Sequence, residues 1–157
     1  MVENELFKEG KVLYFTPFVF KDKEGGKKPK YFIVLKKLDH EVMLATLPTS
    51  KDYIPSTIEK VHGCIEYPEI NFNCYYFAAG QKVCSNGFCF PIETYIYGYR
   101  LQTHKIADLR MQVERGETEI TEKGQLAKEE YRAIVDCLKM SPAVKRGYRN
   151  VLNSGTL

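Results

Sequence analysis

Residues 31–47, YFIVLKK-LDH-EVMLATL, decide the fold of this chain. Tyr31–Lys37 and Glu41–Leu47 are rich in the aliphatic, β-branched and aromatic residues that favour strands, and only Leu38-Asp39-His40 separates them. This spacing predicts a tight antiparallel hairpin. Such a hairpin would bring the residues just before position 31 alongside those just after position 47.

The flanking sequence predicts more β-structure and two loops. Lys11–Phe20 is rich in strand-forming residues, and Pro17 indicates a bend or an edge. Lys21–Lys28, with Gly25-Gly26, has the composition of a loop, as does the proline-containing stretch Pro48–Ser56. Three short β-rich pieces follow between residues 63 and 99: Asn73–Ala78, Gly87–Phe90 and Glu93–Tyr99.

In the last third of the sequence, the spacing of the apolar residues changes to that of a helix. Ala127–Met140 carries apolar residues at helical spacing, and Ser141-Pro142 predicts the cap and first turn of a second short helix that ends near Leu152. Arg100–Arg115 is compatible with either helix or strand. The sequence thus predicts a mainly β fold, a strongly bent small sheet or barrel followed by one or two C-terminal helices.

Size and composition set limits on function. A chain of 157 residues with 44% apolar and 27% charged residues is expected to form one globular domain. No apolar run is long enough for a membrane span and no signal peptide is visible, so we expect a cytoplasmic protein. The P-loop, the dinucleotide fingerprint and the G-x-S-x-G and H-E-x-x-H motifs are missing, which argues against ATP-driven and nicotinamide chemistry.

The five cysteines are odd in number, so free thiols are expected rather than a disulfide framework. No paired C-x2-C motif is present, and we expect no metal or cofactor. A zinc-stabilised domain is the alternative, with Cys74, Cys84, Cys89 and either Cys64 or His62 as ligands. A nucleophilic Cys–His pair is also formally possible.

Charge and aromatic residues suggest where a polyanion would bind. The net charge is only +3, but residues 1–37 hold nine lysines against five acids, and residues 139–149 hold four cations and no acid. Tyr95, Tyr97 and Tyr99 are two apart, so in a strand they share one face on which unpaired bases could stack. The alternatives are an ordinary solvated surface and a half-buried strand face.

The hairpin also suggests a reaction centre. Lys27-Lys28-Pro29-Lys30 precedes its first strand, and Pro48-Thr49-Ser50-Lys51 follows its second. Pairing of the two strands would bring Lys28 near Thr49. A cation beside a hydroxyl donor can stabilise the charge of a phosphorane without a metal. The alternative is a basic turn beside an ordinary polar turn.

The order of these motifs resembles that of the MazF/PemK (Kid) toxins of bacterial toxin–antitoxin systems. The resemblance covers about residues 9–60 and 118–140, which leaves 61–117 as an unaligned insertion and 141–152 as a helical extension of a single domain spanning 1–157. The matching motifs, in order, are Gly10-Lys11-Val12-Leu13, Gly25-Gly26, Lys28-Pro29 before Tyr31–Leu35, Val42–Leu47 with Pro48-Thr49-Ser50, and Gly124-Gln125-Leu126 before Ala127–Leu138.

The resemblance implies an SH3-like barrel that forms a homodimer, cleaves single-stranded RNA without a metal and pairs with a small acidic antitoxin. The family's catalytic Arg and Thr fall on Lys28 and Thr49. Thr49 would donate its hydroxyl to the phosphate, while Lys28 stabilises the developing charge or shuttles a proton. Attack by the ribose 2′-OH would leave a cyclic phosphate. The expected substrate-binding residues are Lys27, Lys30, Ser50, Lys51, Tyr95, Tyr97 and Tyr99.

A catalytically inactive barrel that binds RNA or a protein is the alternative function. The gyrase-binding toxin CcdB, which has a similar fold, shows that this architecture need not be enzymatic. The substitution of Lys28 for the family's Arg favours this alternative, because a lysine cannot reproduce bidentate guanidinium binding.

Overall fold

The predicted hairpin forms the centre of the molecule, of which a computed structural model describes residues 6–19, 27–47 and 54–154. Its strands are β2 (Lys27–Lys37) and β3 (Glu41–Leu47), which pair antiparallel with Tyr31 opposite Leu47. β2 begins before the expected position, because β1 (Lys11–Val19) pairs with it as far as Lys27. Lys27 and Lys28 therefore belong to a strand, which corrects their assignment to a loop.

Five antiparallel strands make up the larger sheet, in the order β7-β3-β2-β1-β8. β7 (Leu101–Lys105) pairs with β3, and β8 (Glu119–Gln125) pairs with β1. The ambiguous stretch 100–115 contains both possibilities in succession, since β7 runs directly into helix α1 (Ile106–Glu114).

A smaller antiparallel sheet has the order β4-β5-β6. Its strands are β4 (Gly63–Tyr67), β5 (Phe72–Phe77) and β6 (Thr94–Tyr97). The first and last of the three predicted β-rich pieces fall on β5 and β6. The piece Gly87–Phe90 forms no named strand; there Val83 N–H donates to Phe88 O, and Gly87 adopts a positive φ of 89°.

Two helices follow β8. α2 (Lys128–Lys139) agrees with the predicted helix, and its Ile134 and Leu138 are buried in the core. α3 spans Arg146–Ser154, so it begins later than the Ser141-Pro142 pattern predicts. The Ser141 hydroxyl instead accepts a hydrogen bond from Ala143 N–H at 3.1 Å, which caps a turn ahead of the helix.

Both faces of the larger sheet are covered. Ile33 and Met43 point into a core shared with the smaller sheet and helices α2 and α3, whereas Phe32 and Leu44 pack on the opposite face with Leu109 of α1. This alternation follows from the period-two geometry of the strands. The chain is therefore mainly β with C-terminal helices, and neither sheet closes into a barrel within the described residues. None of the described helices combines the length and apolar character needed to cross a membrane.

Candidate functional site

The open end of the β2–β3 hairpin carries the predicted reaction centre. Lys28 lies opposite Phe18 of β1, and the half-buried Lys30 lies opposite Phe15. β3 ends at Leu47. Thr49, Ser50 and Lys51 lie outside the described residues, so their approach to Lys28 stays a prediction.

An aromatic cluster borders this end of the hairpin. The Tyr31 ring lies 4.7 Å from that of Tyr14 across the β1–β2 pair and 5.3 Å from that of Phe90. Burial, with a smaller contribution from Tyr14, raises the pKa of Tyr31, so its hydroxyl stays protonated. Lys123 Nζ lies 5.3 Å above the Tyr14 ring, an arrangement that adds a cation to the partly exposed aromatic surface.

The three tyrosines proposed for base stacking do form a row. Tyr95 and Tyr97 stack with ring centroids 5.8 Å apart, and Tyr99 follows at 5.9 Å. However, Tyr95 and Tyr97 are only 3% and 1% exposed, because they belong to a small core on the outer face of the smaller sheet. Tyr99, which is 53% exposed, is the member of the row that a base could reach.

A hydrogen-bonded network that local sequence patterns did not reveal joins His62, Tyr75 and Glu130. His62 Nε2 lies 2.7 Å from Glu130 Oε2, and the Tyr75 hydroxyl donates to the same oxygen at 2.7 Å. Ala78 N–H donates to His62 Nδ1 at 3.1 Å, which places the imidazole proton on Nε2. Burial, together with the Glu130 carboxylate, raises the pKa of Tyr75.

Both ring nitrogens of His62 are engaged, Nδ1 by Ala78 N–H and Nε2 by Glu130, so the network links α2 to the smaller sheet and leaves no imidazole nitrogen for general acid–base chemistry. Both side chains remain partly exposed. Since His62 and Glu130 lie 68 positions apart in the sequence, only the packing of α2 on the smaller sheet brings them together. From the sequence, His62 is singled out by name only as an alternative zinc ligand.

The expectation of five free thiols is wrong for two of them. Cys64 and Cys137 form a disulfide between β4 and α2 across a separation of 73 residues, with their Cα atoms 5.5 Å apart. Cys74, Cys84 and Cys89 are free. The disulfide removes Cys64 from the alternative zinc site, and the described residues contain no group of three or more side chains that could hold a metal.

Cys84 is a poor candidate for a nucleophile. Burial, with smaller contributions from the Glu130 and Glu122 charges, raises the pKa of its thiol to about 11. The thiol is therefore protonated at neutral pH, whereas the thiolate is the reactive form. This argues against Cys84 as the thiol of a Cys–His pair.

Comparison with protein-family models, with curated proteins and with solved structures finds no match to this chain. The proposals for function therefore depend on the residues, their geometry and the order of the sequence motifs.

Proposed function

We propose that this protein is a metal-independent endoribonuclease that cleaves single-stranded RNA at the open end of the β2–β3 hairpin. The observation that carries the proposal is the register of that hairpin. Tyr31 pairs with Leu47, and Phe32 pairs with Thr46. Continued past Leu47, this register would set Ser50 opposite Lys28 and Thr49 at the adjacent position.

The chemistry requires a hydroxyl donor and a cation around one phosphate. The ribose 2′-OH attacks phosphorus, the P–O5′ bond breaks, and the products are a 2′,3′-cyclic phosphate and a 5′-OH. Thr49 donates a hydrogen bond to a non-bridging oxygen, and the Lys28 ammonium stabilises the charge that develops on the phosphorane. In its alternative role, Lys28 donates an ammonium proton to the leaving 5′-oxygen, and the amine so formed takes up the proton that the attacking 2′-OH releases.

The residues around the open end of the hairpin favour the binding of negatively charged RNA. β2 carries Lys27, Lys28 and Lys30 in its first four residues, while Lys123 lies above the neighbouring Tyr14 ring. Cations that contact phosphates supply most of the sequence-independent affinity for nucleic acid. Lys27, Lys30, Ser50 and Lys51 are the proposed backbone-binding residues.

The resemblance to the MazF/PemK toxins is the basis for proposing a larger assembly. The two sheets would form an SH3-like barrel, two copies would associate as a homodimer, and a small acidic antitoxin would cover the basic site. An RNA substrate would set the site of action in the cytoplasm. There the Cys64–Cys137 disulfide would face a reducing environment.

The test is cleavage of a long single-stranded RNA in excess EDTA. We expect discrete fragments with cyclic-phosphate ends from the unmodified protein, and their loss in Lys28→Ala and in Thr49→Ala. Ser50→Ala shows whether the hydroxyl that the register sets opposite Lys28 contributes as well. The matched controls are Lys105→Ala and Thr57→Ala, which remove an exposed lysine and an exposed threonine elsewhere. Cleavage that persists in both Lys28→Ala and Thr49→Ala would refute the site.

The substitution Lys28→Arg gives the most information about the role of the cation at this position. A guanidinium forms two parallel hydrogen bonds to a phosphate, whereas an ammonium acts as a point charge. If Lys28 acts by charge stabilisation, Lys28→Arg should cleave faster, by about one order of magnitude for each 1.4 kcal/mol of additional transition-state stabilisation. A rate as low as that of Lys28→Ala would instead show that Lys28 acts by proton transfer, because an arginine stays protonated.

RNA binding without cleavage is the second candidate function. The exposed Tyr99 ring, with the Arg100 guanidinium 5.5 Å from its centroid, favours it, because this pair offers an aromatic surface beside a cation. A base stacked on an aromatic side chain contributes about 1–3 kcal/mol. Tyr99→Ala should then weaken single-stranded RNA binding by at least about fivefold. Intact RNA, bound with an affinity that depends on Tyr99, would favour this candidate over the nuclease.

A further inference from the structure

A cleft of about 440 Å³ lies at the opposite end of β2 from Lys28. It is bounded by the residues just before β1, the end of β2, the end of β8 and the first turn of α2. We call it the lysine cleft; the residues that matter for its chemistry are Lys8, Lys37, Lys128, Glu9, Leu126 and Tyr131.

The lysine cleft has an excess of positive charge. Within the described residues, none of the ammonium groups of Lys8, Lys37 and Lys128 forms an ion pair. Glu9 is the carboxylate among the lining residues, and it already accepts a hydrogen bond from Lys37 N–H at 3.3 Å and faces Lys36 Nζ at 3.9 Å. Cations grouped around one cleft create a positive potential that attracts an anion.

The first turn of α2 opens at the cleft. Lys128 is the first residue of this 12-residue helix, and no side chain caps its N-terminus at Ala127. Amide N–H groups at a helix start favour an anion such as phosphate. Glu129 and Glu130 share this first turn; Glu130 is bound by His62 and Tyr75, and Glu129 is exposed.

One wall of the cleft is apolar. Leu126 is buried, and the Tyr131 hydroxyl donates to Leu35 O, which fixes the orientation of the ring. Burial, with Glu9 as the smaller cause, raises the pKa of Tyr131, so the phenol adds no negative charge. A flat ring beside a phosphate would thus find both an apolar wall and cations. The volume lies within the range of small-molecule sites, about 300–1,000 Å³.

We propose that the lysine cleft binds a nucleoside phosphate, with its phosphate among Lys8, Lys37 and Lys128 and its base against Tyr131. A free mononucleotide and one nucleotide unit of an RNA strand share this chemistry. The inference is independent of the proposed nuclease site, because nine residues of β2 separate Lys37 from Lys28, roughly 30 Å at the strand repeat.

The experiment is isothermal titration calorimetry on the full chain at low salt. The probes are adenosine 5′-monophosphate, adenosine, inorganic phosphate and a five-nucleotide RNA. The test variant is Lys8→Ala/Lys128→Ala. The control is Lys105→Ala/Arg115→Ala, which removes the same charge from exposed residues next to α1. We expect the mononucleotide to bind more tightly than adenosine or phosphate, and the test variant to lose at least about tenfold in affinity.

Each result has a defined meaning. A loss of mononucleotide affinity in the test variant but not the control supports a free nucleotide. The same pattern seen with the RNA alone supports a nucleotide unit of a strand. Three results would each overturn the proposal. The test and control variants could have equal affinities, neither the mononucleotide nor the RNA could bind, or phosphate could bind as tightly as the mononucleotide. Lys37→Ala is the second test variant should the double variant unfold, and Thr49→Ala should bind the mononucleotide normally whatever it does to cleavage.

Discussion

The position of the Asn73 side chain is fixed by its hydrogen bonds and its packing. Its Nδ2 donates to Glu66 Oε1 at 2.8 Å and to Cys137 O at 3.1 Å, so the amide is held between β4 and α2. Gly98 packs directly against it. A Cβ added at position 98 would meet Asn73 Oδ1 and would lie 2.8 Å from Val144 Cγ2.

Gly98→Ala should therefore destabilise the protein by about 1–3 kcal/mol, the usual effect of overpacking a rigid site. Gly147→Ala is the matched control. Position 147 lies in helix α3 with no atom within 4 Å of the added Cβ, so alanine there should stabilise by up to about 1 kcal/mol. Urea unfolding of both variants measures the difference. Similar stabilities for the two would show that Asn73 can move.

Because the pKa of Cys84 is raised in the folded protein, we expect stability to depend on pH in the alkaline range. In the unfolded chain this thiol ionises near pH 9, but in the folded protein only near 11. Between these values the unfolded state releases a proton that the native state keeps, so stability falls as pH rises from 9 to 11 and is fully retained below 9.

Alkylation tests the same property directly. With native protein at pH 8, iodoacetamide should modify the partly exposed Cys89 and spare Cys84, and peptide mass mapping would locate the label. Denatured protein is the control in which both thiols react. Equal labelling of Cys84 and Cys89 in the native state would contradict the assignment.

At the scale of secondary structure, helix α2 is attached to the smaller sheet through its polar groups as well as its apolar face. Cys137 is bonded to Cys64 of β4, and Glu130 binds both Tyr75 of β5 and His62 just ahead of β4. Removal of Glu130 would leave two partly buried donors without their acceptor.

Glu130→Ala should accordingly cost about 1–3 kcal/mol of the free energy of unfolding. Glu129→Ala changes an exposed glutamate in the same helical turn and should stay within about 0.5 kcal/mol of the unmodified protein. Urea denaturation of the two variants side by side decides the matter. A small effect at position 130 would mean that water replaces the carboxylate at no cost.

Elements with a strong local pattern were predictable from sequence. The hairpin 31–47 and the helix at 128–139 depend on residues close together in the chain, and both are confirmed. β8 was not predicted, because its EITEKGQ sequence is mostly polar and its strand conformation comes from pairing with β1.

The same distinction applies to the candidate sites. Lys28 could be nominated from the hairpin alone, since its position depends on local strand pairing. The Cys64–Cys137 bond and the His62–Glu130 contact join residues 73 and 68 positions apart, and the lysine cleft gathers residues from β2, β8, α2 and the segment just before β1. Such groupings arise from tertiary packing, which no local pattern encodes.

For the whole molecule, the disulfide is the covalent link between the smaller sheet and helix α2. It joins residues 73 positions apart, and in the chain-entropy description a loop of that length stabilises by about 4 kcal/mol. Cys64 is exposed, so a reductant has access to the bond.

Reduction with dithiothreitol should therefore lower the free energy of unfolding by about 2–5 kcal/mol without abolishing the native fold. The urea midpoint with and without reductant gives the measurement. Cys64→Ser/Cys137→Ser is the control, since its midpoint should not respond to dithiothreitol. A midpoint of the unmodified protein that is indifferent to reductant would show that the link adds nothing to stability.

The pairing of β1 with β8 has a consequence for the newly made chain. Residue 16 lies opposite residue 119, and residue 11 lies opposite residue 125, so one edge of β1 finds its partner only once β8 has been synthesised. At about 5–20 residues per second, the ribosome needs about 5–20 s to add the roughly 100 residues between the two strands. Throughout that interval an apolar strand edge is open to pairing with any other nascent polypeptide. A slower ribosome would lengthen the period in which this protein can aggregate before β8 is made.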